Sequence, residues 1–285
     1  TTGANNVGLG DRCLDSNTSG ENNTAVGQHA LGAVTTGSFN TAMGQGALFQ
    51  NTADNNTAVG NHCLLNNTSG TANTAVGENA MNDNTTGQQN TAVGFTALDA
   101  NTSANFNTAI GAYSLTSNTT GTRNTGVGRD TLLYNSTGIG STAVGYNCLD
   151  AATTANYNTA VGDSSMSSTT TGGQNTAMGQ ASLFTNTSGV RNVSIGYDSL
   201  LSNTTGSDNV AVGHSCLDAC TTGGDLTAVG VGALSGNTTA SFNSAFGYYA
   251  LRDNTTGAVN DAFGYYSLNA NTTGASNVAM GSRSL

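Results

Sequence analysis

The apolar positions of this chain recur every 17 residues, and the repeat occupies the whole sequence. A glycine closes each Asn-Thr-Ala-Val-Gly-like segment, from Gly10, Gly27, Gly44 and Gly60 through to Gly281, giving 17 anchors. Fifteen of the sixteen intervals are 17 residues long, and Gly44 to Gly60 is 16. The residue before the anchor is always apolar, as in Leu9, Val26, Met43, Ile110 and Phe246. Four residues after the anchor stands Leu fifteen times and Met twice, at Met81 and Met166. The consensus is N-T-A-V-G-x-x-A-L-x-x-N-T-T-G-x-x. Two apolar positions held this tightly predict an ordered solenoid with one repeat per coil.

The period predicts strands. Seventeen residues are too few for the helix pairs of helical repeat families, and Thr, Asn and Gly are poor helix formers. Short Thr/Val segments bounded by Gly and Asn read as strands. The strongest two-residue hairpin signal, Asn-Gly, never occurs among 39 Gly and 38 Asn. Strands that pair in parallel with the next coil need no hairpin, and the absence of Pro suits strands that must donate ladder hydrogen bonds. The expected architecture is all-β: a single continuous parallel β-solenoid over 1–285, about 17 coils of 17 residues. At ~4.8 Å per coil it makes a rod of roughly 80 Å. No capping repeat is recognisable, so the chain is expected to be a segment of a longer fibre or a unit that stacks end to end into a filament.

Alternation along N-T-A-V-G puts the Thr and Val positions on one face and Ala on the other. The Val and Leu positions are expected in the core, with Thr at its edge. The Ala position holds only Ala, Gly or Ser (Ala25, Gly126, Ser194). On the outer face, such small residues would admit close approach of a second subunit, and Ala75, Ala92 and Ala109 are candidates for that interface. The anchor glycine is expected in a conformation that a Cβ would strain. The Asn and Thr of the Asn-Thr-Thr-Gly turn are expected to bond neighbouring backbone and stack in ladders.

Composition narrows the function classes. Six Arg and no Lys, with a net charge of −10, cannot supply a phosphate-neutralising surface, so no nucleic-acid partner is expected. No 18-residue apolar run is present, so no helix inserts into a membrane. No basic, apolar leader opens the chain.

At this point the repeats resemble a known group. They resemble the left-handed β-roll coils of trimeric autotransporter adhesin heads, whose signature is a short Asn-x-x-Ala-Ile-Gly segment followed by a small residue. They are still more similar to the Asn-Thr-Ala-Val-Gly-Tyr-x-Ala-Leu…Asn-Thr-Thr-Gly arrays of phage tail-fibre-like and bacterial surface proteins. The match covers the entire chain, for example Asn73–Gly77 with Asn84–Gly87, and Asn90–Gly94 with Leu98. The resemblance implies a left-handed parallel β-roll, commonly trimeric, serving as a shaft or adhesive head outside the cell or on a virion.

Chemistry-bearing residues are sparse. His29 and His62 share a coil position two coils apart, and His214 lies far away, so no convergent metal site is expected. Cys13, Cys63, Cys148 and Cys216 sit just before the recurrent Leu and read as small buried hydrophobes. Cys220 lies in the same coil as Cys216, so a Cys216–Cys220 bridge is a candidate. Asp15, Asp99, Asp150 and Asp218 share a position but lie several coils apart, too far for an acid/base pair. No nucleophile recurs with a base, so neither catalytic residues, a cofactor nor an enzyme is expected. Tyr248, Tyr249, Tyr265 and Tyr266 fill adjacent variable positions in adjacent coils. They are expected to form a patch for a cell-surface glycan or a second protomer. Phe39, Phe106, Tyr157 and Phe242 are expected to cover the core edge. Asn-x-Thr sequons recur, as at Asn84, Asn118, Asn203 and Asn254, but the consensus itself creates them.

The expected function is therefore structural: an extracellular, cell-surface or virion-surface fibre or filament segment, homo-oligomeric, adhesive through its variable positions. The alternative is an ice-binding solenoid presenting Thr ladders, for which the second and fourteenth repeat positions are the candidates.

Overall fold

The computed structural model describes residues 2–285. Among them are strands and turns but no helix, hence none long and apolar enough to cross a membrane. The chain divides into two units, Thr1–Gly140 and Ser141–Leu285. Each is a parallel β-solenoid, the fold the repeat predicts. The first unit carries β1 (Val7–Leu9) to β8 (Thr125–Val127), and the second carries β9 (Thr142–Val144) to β17 (Val278–Met280); every strand is three residues long.

Within each unit every strand pairs in parallel with the next, in one unbroken register. Thr74 lies beside Thr91, Ala75 beside Ala92 and Val76 beside Val93. In the second unit Thr159 lies beside Thr176 and Ala160 beside Ala177. The 16-residue interval does not disturb this register, because Thr41 still pairs with Thr57. The missing residue is taken out of the turn at Asn51–Asp54, where the Asp54 carboxylate accepts the Ser38 amide at 2.7 Å.

The strand ends where the anchor glycine turns the chain. Gly77 has φ 137°, a region open essentially to glycine alone, and a Cβ there would collide with the Gly94 carbonyl of the next coil. Two left-handed non-glycine residues follow, Asn79 at φ 55° and Met81 at φ 52°. The same pair recurs as Thr96 and Leu98. A left-handed Leu costs about 1–2 kcal/mol. What offsets it is burial: Met81, Leu98 and Leu115 are fully enclosed.

The recurrent Leu lies in the core as expected, but the strand is turned the other way from what alternation combined with hydrophobicity suggested. Ala75, Ala92 and Ala109 have no exposed surface, whereas the flanking Thr, Val and Ile are partly exposed. The strand points its Ala inward and both Thr and Val outward. The reason is the thinness of the coil. The wall facing the Ala is filled by the buried position before the Leu (Ala80, Ala97, Ser114) and by the Leu itself. At Gly126, a Cβ already meets Ser114 Oγ and Thr131 Oγ1. The space holds no side chain larger than Ala or Ser.

Two buried asparagine ladders complete the interior. The Asn that opens most coils (Ser141 and Leu226 open the other two) donates Nδ2 across the coil boundary, as Asn73 does to the Gly87 carbonyl at 2.8 Å. Its Oδ1 accepts the amide of the next opening Asn, here Asn90, at 3.0 Å. The turn Asn forms the second ladder: Asn84 donates to Asn67 Oδ1 at 2.6 Å and Asn101 donates to Asn84 Oδ1 at 2.6 Å. Buried amides are paired along most of the axis, as burial requires; among the described residues the exceptions are Asn135 Oδ1 and Asn203 Oδ1, where the next coil places Ala152 and Cys220.

Candidate functional site

The surface is built from columns, because each repeat position stacks on its copy in the next coil. The strand face of the first unit shows a Thr column from Thr24 to Thr125 and an aliphatic column from Val26 to Val127, interrupted by Met43 and Ile110. Neither column contains a charge over that span. The second unit departs from this pattern. Its first column turns to Val193 and Val210, then Ser244, Asp261 and Val278, and its second carries Met178, Ile195, Phe246, Phe263 and Met280. Phe246 and Phe263 stack at 5.0 Å and 4° and remain 38% exposed.

Ala75, Ala92 and Ala109 cannot form a subunit interface, since they are enclosed within their own chain. The outward partners of the strand are the Thr and Val positions, and these inherit the role of candidate interface.

The Cys216–Cys220 bridge is also corrected. Both thiols are free and buried. The Cys216 thiol donates to the Ala228 carbonyl at 3.2 Å, and that of Cys220 is directed at the Gly223 carbonyl at 3.7 Å. They serve different walls of the coil: Cys216 occupies the place before the Leu, and Cys220 takes the place of the turn Asn. Burial pushes Cys63, Cys148 and Cys216 up to about 12, which leaves them protonated and inert as nucleophiles.

Tyr248, Tyr249, Tyr265 and Tyr266 do come together. Tyr248 and Tyr265 stack at 5.4 Å with 13° between planes, and Tyr248 meets Tyr249 edge-on at 4.3 Å. Arg252 lies over the Tyr249 and Tyr266 rings at 5.5 and 6.0 Å, and Arg283 over Tyr265 at 5.8 Å. Tyr249 rests on the space left by Gly232. The hydrogen bond to Tyr249 raises the Tyr248 phenol above its ordinary range. The rings of the quartet thus pack on one another, while Tyr248 and Tyr265 remain 41% and 46% exposed. Phe39, Phe106, Tyr157 and Phe242 are 54–60% exposed rather than laid over the core edge, because their left-handed backbone turns them away from it.

His29 and His62 flank Gly46 in a groove of about 200 Å³ with Phe49 and Leu65; the Phe49 ring stands edge-on to His29 at 5.9 Å. His214 stacks on Tyr197 at 5.2 Å. Among the described residues no three His, Cys, Asp or Glu converge as a metal site would need. One carboxylate pairing escapes the position-by-position reading. Asp99 is half-buried and raised to about 6, first by burial and then by the nearby negative charge of Asp83. Asp83 stands one repeat position away from the Asp15, Asp99, Asp150 and Asp218 set, so tracking a single column missed it.

No family model matches the chain, and no curated protein matches it either.

Proposed function

We propose that this chain is a structural rod module of an extracellular, cell-surface or virion fibre, which assembles with copies of itself through the outward strand face of its second unit. The observation that carries the reading is the apolar column from Met178 to Met280. It repeats at the solenoid period of ~4.8 Å and sets large side chains in solvent, with Met178 at 44% and Met280 at 74% exposure. Contiguous apolar patches of this kind mark association surfaces. The resemblance to tail-fibre and adhesin-head repeats supports the setting, and the columnar surface without converging catalytic groups supports a structural role. The variable positions after the anchor, including the tyrosine quartet, are the places where a glycan contact would differ from coil to coil.

The test is the mass of the particle in solution. The wild-type chain should sediment as a whole-number multiple of 28.4 kDa. The Phe246→Asp, Phe263→Asp double variant should fall to the monomer with its circular dichroism unchanged. A monomeric wild type, or a double variant of unaltered mass, would overturn the assembly reading.

A further inference from the structure

The strand face of the first unit differs in kind from that of the second, and we infer that it binds ice. The argument rests on which threonine hydroxyls are already occupied. In the turn column, Thr68 Oγ1 donates to the Thr85 carbonyl at 2.9 Å, Thr85 to Thr102 at 2.8 Å and Thr102 to Thr119 at 3.2 Å. The backbone of the next coil consumes these hydroxyls. The seven strand threonines from Thr24 to Thr125 make no such bond; none of their hydroxyls has a partner among the described residues. Those bonded hydroxyls stand at the thirteenth repeat position; the fourteenth carries free hydroxyls too, as at Thr86 and Thr120, but Ser69 and Ser103 interrupt that column and the shortened turn at Asn51–Asp54 omits a residue from it, so the unbroken threonine column is the second position, beside the outward aliphatic column.

That face has the properties an ordered water lattice requires. It is regular, because its strands stay in parallel register through the shortened repeat. It is uncharged from Thr24 to Val127 in a chain of net charge −10, which suits a neutral lattice and not an ionic partner. Thr and Val are both stiff at χ1, so hydroxyls and methyls are preset at ~4.8 Å along the axis and ~6.8 Å across the strand. A dry apolar partner would leave the same hydroxyls without partners, whereas lattice water supplies donors and acceptors to each.

The experiment uses the full 285-residue chain. Thermal hysteresis and ice-crystal habit are measured for the wild type, for Thr74→Tyr with Thr91→Tyr on the strand face, and for Thr86→Tyr with Ser103→Tyr on the turn. The strand column tolerates substitution, since Val210 and Asp261 occupy it in the second unit, and circular dichroism confirms each fold. The wild type and the turn variant should shape ice and show hysteresis, and the strand-face variant should fall to the level of buffer. No hysteresis in the wild type, or equal activity in both variants, would overturn the inference. So would a strand-face variant that alters only the mass of the particle, which would assign this face to a second copy of the chain.

Discussion

Cys220→Asn should stabilise this protein, because Cys220 leaves a readable gap in the buried ladder. Asn203 donates Nδ2 to Asn186 Oδ1 and to the Gly206 carbonyl, each at 3.0 Å. Its own Oδ1 is buried and receives nothing, because the next coil offers Cys220 where an amide would continue the ladder. On the other side, Asn237 meets the Cys220 sulfur instead of an amide oxygen. In the intact stretch the equivalent contacts are 2.6 Å on both sides of Asn84. Substituting Asn supplies a donor to Asn203 and an acceptor to Asn237. A buried acceptor without a partner costs ~1–3 kcal/mol, and a made bond contributes ~0.5–1.5 kcal/mol. Against this stands the loss of a small buried hydrophobe, under ~1 kcal/mol. A net gain of about 2 kcal/mol is expected. Urea unfolding followed by circular dichroism reads it as a higher midpoint at unchanged slope. Combining Cys220→Asn with Asn203→Ala should erase most of the gain, since the two residues are coupled. A neutral or destabilised Cys220→Asn, or a gain that survives removal of Asn203, would refute the reasoning.

Two further predictions follow from the buried titratable groups. Asp99 has its folded-state value raised to about 6 from 3.8, so the stability it contributes is complete below pH 3.8 and is lost as pH rises through 6. Asp99→Asn should therefore be more stable than wild type at pH 7.5, by ~1 kcal/mol once the half-exposed setting is discounted for solvent screening. The difference should vanish below pH 4, and paired urea midpoints across pH check it. Thiol labelling of the native protein at pH 8 should modify only the partly exposed Cys13, with all five thiols reacting after unfolding; native labelling of Cys63 at the rate of Cys13 would contradict its burial.

The fold was legible because it is written as a period. The glycine anchors, the recurrent Leu and the missing Asn-Gly turns led to a parallel solenoid without reference to any single coil. The tyrosine quartet was legible for the same reason, since equal repeat positions in successive coils must touch. The inside of the strand was not. Alternation states which residues share a face, but the choice of inner face depends on the space left by the rest of the coil. Here Leu98, Ala97 and the asparagine arms leave room for Ala92 and none for Val93. Hydrophobicity alone favours the wrong answer, because Val is the more apolar residue. The strict restriction of the Ala position to Ala, Gly and Ser was the usable signal: a size limit held in every coil belongs to a packed interior. Likewise, a Cys in a turn-Asn position signalled a gap in a ladder more than half of a bridge.

Both functional readings rest on the strand turning Thr and Val outward and Ala inward, and urea midpoints of Ala92→Leu and Val93→Leu measured side by side test this most directly. Ala92→Leu should lose ~1–3 kcal/mol by overpacking the coil, while Val93→Leu should stay within ~0.5 kcal/mol of wild type, as outward substitutions do. The reverse order, with Ala92→Leu tolerated and Val93→Leu costly, would place the Val column in the core and contradict the account.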